Sequence, residues 1–152
     1  MSVSTTVYET YLHALATSAA PDLSTATFKC ALLTSSYTPN YVTHDFFDDV
    51  STFEVAAGGG YTAGGETLIT VSLNDNDVSR FVYLDAADVV FNFVGFAGNF
   101  RYAVLYVSTG TPSTSRLLFL IDLGSNVAPA STIFRIRWPA VELGSVLKFG
   151  QG

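Results

Sequence analysis

Apolar and polar positions change rhythm once along this chain, near residue 28. Before that point Tyr8, Tyr11, Leu12 and Leu15 recur at i, i+3, i+4 and i+7, which predicts a short amphipathic helix with one apolar stripe. Thr6 followed three residues later by Glu9 fits a capping box at its start. Ala19-Ala20-Pro21-Asp22 should end it, because a proline drives the preceding residue out of helical geometry. From Phe28 onward the period is two. Thr67, Ile69, Val71 and Leu73 alternate with Glu66, Thr70 and Ser72, Leu68 being the exception, and Phe134, Ile136 and Trp138 alternate with Arg135 and Arg137. Val89 to Phe96, Tyr102 to Val107 and Leu117 to Leu123 are apolar on both faces and predict covered, central strands. Phe28 to Ser35, Arg80 to Leu84 and Val146 to Phe149 are further strand candidates. Gly58-Gly59-Gly60, Gly64-Gly65, Asn74-Asp75-Asn76-Asp77, Gly98-Asn99, Gly110-Thr111-Pro112 and Gly124-Ser125-Asn126 supply turn chemistry between them.

About eight short strands broken by such turns predict an all-β fold, an antiparallel β-sandwich of jelly-roll-like type with one short N-terminal helix. The expected division is a helical arm over residues 1–22 and a sandwich over 23–152. At 152 residues one compact domain is expected.

Composition sharpens this picture. Hydrophobic residues make up 49% and charged residues only 13%, against about 25% in ordinary soluble domains. That balance is opposite to the one that keeps chains disordered. Thirty-two residues are Ser or Thr. Part of that count reflects the liking of Thr for strands. The rest supplies a polar exterior that is cheaper to desolvate than a charged one. The net charge is −6, and the 7 basic residues are scattered from Lys29 to Lys148, which argues against nucleic-acid and anionic-membrane partners. The N-terminus lacks the basic and apolar blocks of a signal peptide, and Cys30 has no second cysteine with which to form an internal disulfide.

Candidate chemistry is sparse. His13 lies beside the helical pair Tyr11-Leu12, and His44 sits in Thr43-His44-Asp45 with no nucleophile elbow anywhere in the chain. A hydrogen-bonded turn histidine is the expectation for His44, and a buried, inert thiol for Cys30. Asn74 to Asp77 offers hard oxygen ligands without the spacing or the later Glu of an EF-hand, so a turn is expected there in preference to calcium. Asp45, Asp48 and Asp49 read as a capped, solvated turn, and Gly58 to Gly60 lacks the Lys-Ser/Thr of a phosphate loop. No cofactor is expected. The aromatics carry more. Tyr37, Tyr41, Phe46, Phe47, Phe53 and Tyr61 crowd one long aperiodic stretch. Phe46 and Phe47 either plug the open end of the sandwich or, with Tyr8, Tyr11, Tyr37 and Tyr41, anchor contacts with another subunit. Tyr37, Tyr41 and Trp138 are also candidate sugar platforms.

The stretch from Lys29-Cys30-Ala31-Leu32-Leu33-Thr34-Ser35-Ser36-Tyr37-Thr38-Pro39-Asn40 to Thr43-His44-Asp45-Phe46-Phe47-Asp48-Asp49-Val50 resembles a family of small tailed-bacteriophage proteins. Gly60-Tyr61-Thr62-Ala63-Gly64-Gly65, Asp85-Ala86-Ala87-Asp88-Val89, Arg101 to Tyr106, Thr109 to Ser115 and Ile121-Asp122-Leu123-Gly124 extend the likeness over residues 7–138. The Phe-rich segment from Val89 to Phe100 and the tail after Trp138 depart from the family pattern. The resemblance implies a non-enzymatic virion structural protein. The expectation is a capsid decoration (cement) protein on the outer surface of the phage head, made in the host cytoplasm. Its partners would be the major capsid protein and its own copies, a trimer being the favoured oligomer. A tail, baseplate or fibre-attachment component, a carbohydrate-binding module and a hydrolase are the competing readings.

Overall fold

A computed structural model describes residues 2–76, 81–138 and 147–150. The strands are β1 (Ser4–Val7), β2 (Thr27–Leu33), β3 (Glu66–Thr67), β4 (Ser72–Asn76), β5 (Phe81–Asp85), β6 (Val89–Asn92), β7 (Phe100–Ser108), β8 (Leu117–Val127), β9 (Ile133–Ile136) and β10 (Leu147–Gly150). Helix α1 covers Glu9–Ala16, α2 is a single turn over Asp48–Ser51, and Pro112–Thr114 forms a 3₁₀ turn. The fold is an all-β sandwich, as the period-two reading predicts. Its main sheet runs β1-β8-β7-β2-β3, with smaller sheets β10-β5-β4 and β6-β9, all pairings antiparallel.

The apolar runs of β2, β7 and β8 are long because both faces of the main sheet are covered. Register puts Phe28, Cys30 and Leu32 level with Val107, Leu105 and Ala103, and Phe119 beside Leu105. On this face Trp138 meets the Phe119 ring edge-on, its centroid 6.3 Å away. On the other face Tyr102 meets Tyr37 edge-on at 5.7 Å, and Tyr106 stacks on Phe47 at 4.2 Å. A phenylalanine cluster ties the β6–β9 ribbon to β7. Phe93 lies 6.0 Å from Phe100, Phe134 lies 4.9 Å from Phe100, and Phe91 stacks on Tyr61 at 6.0 Å. This cluster accounts for the unusual phenylalanine content of Val89 to Phe100.

Glycines make the layers fit. Gly60 has φ +90°, and a Cβ there would drive into the Asn92 carbonyl, so Gly60 lies flush against the end of β6, while Gly59 lies against the Phe96 backbone. The Val94 N–H donates to the Gly59 carbonyl at 2.9 Å.

Thr6 belongs to β1 and caps nothing. Tyr8 is the N-cap with extended backbone, and the first free helical N–H groups, Glu9 and Thr10, donate to the Tyr41 carbonyl at 2.9 and 3.4 Å. The helical stripe is rotated: Tyr8, Tyr11 and Ala14 are buried, whereas Leu12 and Leu15 are 49% and 40% exposed. The helix stops at Thr17, ahead of the proline, because Ser18 takes a left-handed φ of 58°. With β1 hydrogen-bonded to β8 and the helix packed into the core, residues 4–16 are integral to the sandwich and do not stand apart as an arm.

The alternating segment also differs from its expectation. Leu68, the exception, is the buried residue, while Ile69 and Leu73 are exposed. The chain breaks at Thr70, which has φ 54°, so the segment divides into β3 and β4. The Asn74-Asp75-Asn76 part of the expected turn is strand, Asn76 pairing with Phe81, and Asp77 lies outside the described residues.

Candidate functional site

The sequence nominates six rings for contacts with another subunit. Tyr8, Tyr11, Tyr37 and Phe47 are buried in the chain's own core, and Tyr41 and Phe46 are half-buried. Burial removes the first four from any exposed interface, because their faces are already covered by this chain. Tyr37 contacts Phe53 at 5.4 Å as well as Tyr102, and Tyr41 packs on Tyr8 at 5.4 Å. The sugar-platform set is broken up as well. Tyr37 is closed off, and Trp138 is half-buried with its indole N–H donating to the Ala87 carbonyl at 3.1 Å.

What these rings build is a polar thread through the core. Tyr8 Oη and Tyr37 Oη lie 2.9 Å apart, and Tyr37 Oη lies 2.9 Å from His44 Nδ1. Desolvation, and then the hydrogen bond to Tyr37, push the Tyr8 phenol far above its usual range, and burial raises Tyr37 too. His44 is thus a turn histidine spent on a buried tyrosine. Its carbonyl accepts the Thr10 hydroxyl at 2.7 Å, which pins the loop to α1.

The neighbouring acidic cluster is a capped turn. Asp49 Oδ2 accepts the N–H groups of Asp45 and Phe46 at 2.9 and 3.3 Å. Arg116 stands 3.8 Å from the Asp45 carboxylate and lays its guanidinium 4.2 Å from the Phe46 ring centroid. Burial holds the Asp45 carboxyl above its ordinary value against the pull of Arg116. A cleft of about 380 Å³ opens here between the helix flank of Glu9, Thr10 and His13 and the loop residues Val42, Asp45 and Arg116.

A second cleft, about 340 Å³, holds a grouping that spacing does not reveal. Glu54 Oε1 accepts the Tyr61 hydroxyl at 2.7 Å and the Gly64 N–H at 2.6 Å. Tyr61 Oη in turn accepts the buried Leu32 N–H at 3.0 Å, and Tyr106 Oη donates to the Gly64 carbonyl at 2.7 Å. Burial raises the Glu54 carboxyl, opposed by the hydrogen bonds it accepts from Tyr61 and the Gly64 N–H and by the field of Lys29. Lys29 comes from β2, Glu54 and Tyr61 from loop 54–65 and Tyr106 from β7, so the only local signal was the Gly64-Gly65 turn that lets the loop close on β2. The grouping is a structural clasp. The two Glu54 bonds close loop 54–65 on itself, and the Tyr61–Leu32 and Tyr106–Gly64 bonds hold it on β2 and β7.

Cys30 is fully buried and its thiol is pushed up to about 12, the inert state expected. Among the described residues no cluster of three or more His, Cys, Asp or Glu side chains could hold a metal ion, and no helix is long and apolar enough to cross a membrane. No protein-family model, curated protein or solved structure matches the chain at a significant level.

Proposed function

We propose that the chain is a non-enzymatic structural subunit of a tailed-bacteriophage virion, seated as a decoration (cement) protein on the outer face of the head. The observation that carries this reading is the character of the exterior. A surface of 7,921 Å² carries only 7 basic and 13 acidic residues, and large apolar side chains such as Leu12, Leu15, Val42, Ile69, Val94 and Ile133 stand in solvent. Leu12 and Leu15 are neighbours on one flank of α1 at i and i+3. Such groups lose little by leaving water and gain when covered. The resemblance of residues 29–50 to small tailed-phage proteins supplies the biological setting.

The mechanism is mechanical. Burial of apolar and hydroxyl surface across adjoining capsid subunits adds association free energy at each seat, and an interface of about 1,600 Å² is the usual size for a specific contact. Repetition over the shell then resists internal pressure. The major capsid protein and further copies of this chain are the partners.

Quantitative mass spectrometry of purified particles tests the proposal. On the order of hundreds of copies per particle supports a seat on the head, whereas about six or twelve, the count of a closed ring, moves the protein to the tail or baseplate. Absence from particles overturns the structural reading altogether.

A further inference from the structure

We propose that β1 is a self-pairing edge, two copies of the chain joining their β1 strands antiparallel about a two-fold axis at Thr5 to make one continuous sheet.

β1 is the outermost strand of the main sheet. It pairs Ser4 with Asp122, Thr5 with Ile121, Thr6 with Leu120 and Val7 with Phe119, and the Tyr8 N–H donates to the Leu118 carbonyl at 3.0 Å. In an antiparallel ladder only alternate residues bond a given neighbour. Tyr8, Thr6 and Ser4 therefore face β8. Thr5 and Val7 turn their N–H and C=O groups outward, and one more step of the same alternation adds Val3.

The segment is also self-complementary. Val3-Ser4-Thr5-Thr6-Val7 reads almost the same in both directions. Antiparallel pairing centred on Thr5 sets Thr5 opposite Thr5, Val3 opposite Val7 and Ser4 opposite Thr6 of the second copy. The hydrogen-bonded pairs in that register are the residues whose groups point outward. The facing side chains are β-branched and hydroxyl pairs, which favour sheet pairing. No charge lies between Ser2 and Tyr8, so no like charges meet.

The other edges are guarded in the ways soluble sheets protect themselves. β3 is two residues long, β4 contains Asp75 and β9 contains Arg135. At the end of β6, Gly60 abuts the Asn92 carbonyl, and just past the strand the Gly59 carbonyl accepts the Val94 N–H. Among the described residues β1 is the edge without charge, proline or cover, and Val3 to Thr6 are exposed.

Two short strands bury less than the roughly 1,200 Å² at which specific stable interfaces begin, so the dimer is weak and concentration-dependent. Each copy carries a net charge of −6, so salt strengthens the pairing by screening repulsion between the copies. This contact belongs to the isolated chain and does not rest on the virion reading.

Sedimentation velocity of the full chain from about 10 µM to about 1 mM spans the affinities expected of so small an interface. A reversible monomer–dimer equilibrium shifting toward dimer with added salt is expected. Thr5→Pro removes an outward N–H without breaking a bond to β8 and should abolish the dimer, while Val94→Lys on a remote loop should retain it. Cross-linking gives a folding-independent check. Facing Thr5 Cα atoms would lie about 5.5 Å apart, within disulfide reach, whereas the two Thr6 positions are offset to roughly 8 Å. Under mild oxidation Thr5→Cys should give several-fold more covalent dimer than Thr6→Cys or Val94→Cys. A monomer at every concentration, a trimer as the associating species, or equal cross-linking at the three positions would overturn the proposal.

Discussion

Tyr61 donates its hydroxyl to Glu54 Oε1 at 2.7 Å while accepting the N–H of Leu32 at 3.0 Å, so one phenol ties loop 54–65 to the central strand β2. Tyr61→Phe removes both bonds and strands a buried backbone donor. It should cost about 1–3 kcal/mol by chemical denaturation, the usual penalty for a buried unsatisfied donor. A loss below measurement error would mean that the clasp is dispensable.

Glu54 itself sets a pH dependence. Its carboxyl is raised above its ordinary value of 4.5, chiefly by burial, so the folded state holds the proton more tightly than the unfolded state. Its contribution is fully present below the unfolded value and is lost as pH rises through the raised folded value. Glu54→Gln keeps an oxygen to accept from Tyr61 and Gly64 and carries no charge. It should flatten stability against pH just above 4.5, and thermal melts across that window compared with wild type would reveal an unchanged slope if the assignment is wrong.

Five phenols, Tyr8, Tyr11, Tyr37, Tyr61 and Tyr106, are raised by burial, Tyr11 to about 12. The stability they give is present below the ordinary tyrosine value of 10.0 and is lost on the alkaline side. Spectrophotometric titration should show these rings ionising in one cooperative step together with loss of far-UV circular dichroism. Smooth ionisation of all eight tyrosines in a folded chain would contradict their burial.

Gly60 and Gly110 separate clash from conformation. Both have positive φ, +90° and +86°, but a Cβ at Gly60 meets the Asn92 carbonyl, whereas at Gly110 it meets open space. Gly110→Ala should cost only the left-handed backbone penalty of about 1–2 kcal/mol, and Gly60→Ala clearly more. Equal losses in denaturant would show that β6 does not press on the glycine run.

The legibility of this fold in its sequence follows burial. β2, β7 and β8 are visible because strands covered on both faces must be apolar throughout, and the alternation of Phe134 and Ile136 with Arg135 and Arg137 survives because β9 has one wet face. Thr67 to Leu73 misleads because hydrophobic alternation assumes an unbroken strand. The left-handed turn at Thr70 resets the faces and leaves Leu68 inside, with Ile69 outside. Thr6 and Glu9 mimic a capping box, but pairing with β8 and the carbonyl of Tyr41, both distant in sequence, decide where α1 starts. The Lys29, Glu54, Tyr61 and Tyr106 clasp was not legible at all, because nothing local links β2, loop 54–65 and β7, which only the tertiary fold brings together. The aromatic loop was visible as unusual. Its inward direction was not, since a buried ring and a docking ring have the same letter.

The central claim is that this sparsely charged exterior is a seat for capsid subunits. Cryo-electron microscopy of virions produced with and without the gene tests it most directly. Difference density repeated across the outer face of the head, each unit the size of this sandwich, is the predicted result. Difference density confined to the tail, or none, would contradict it.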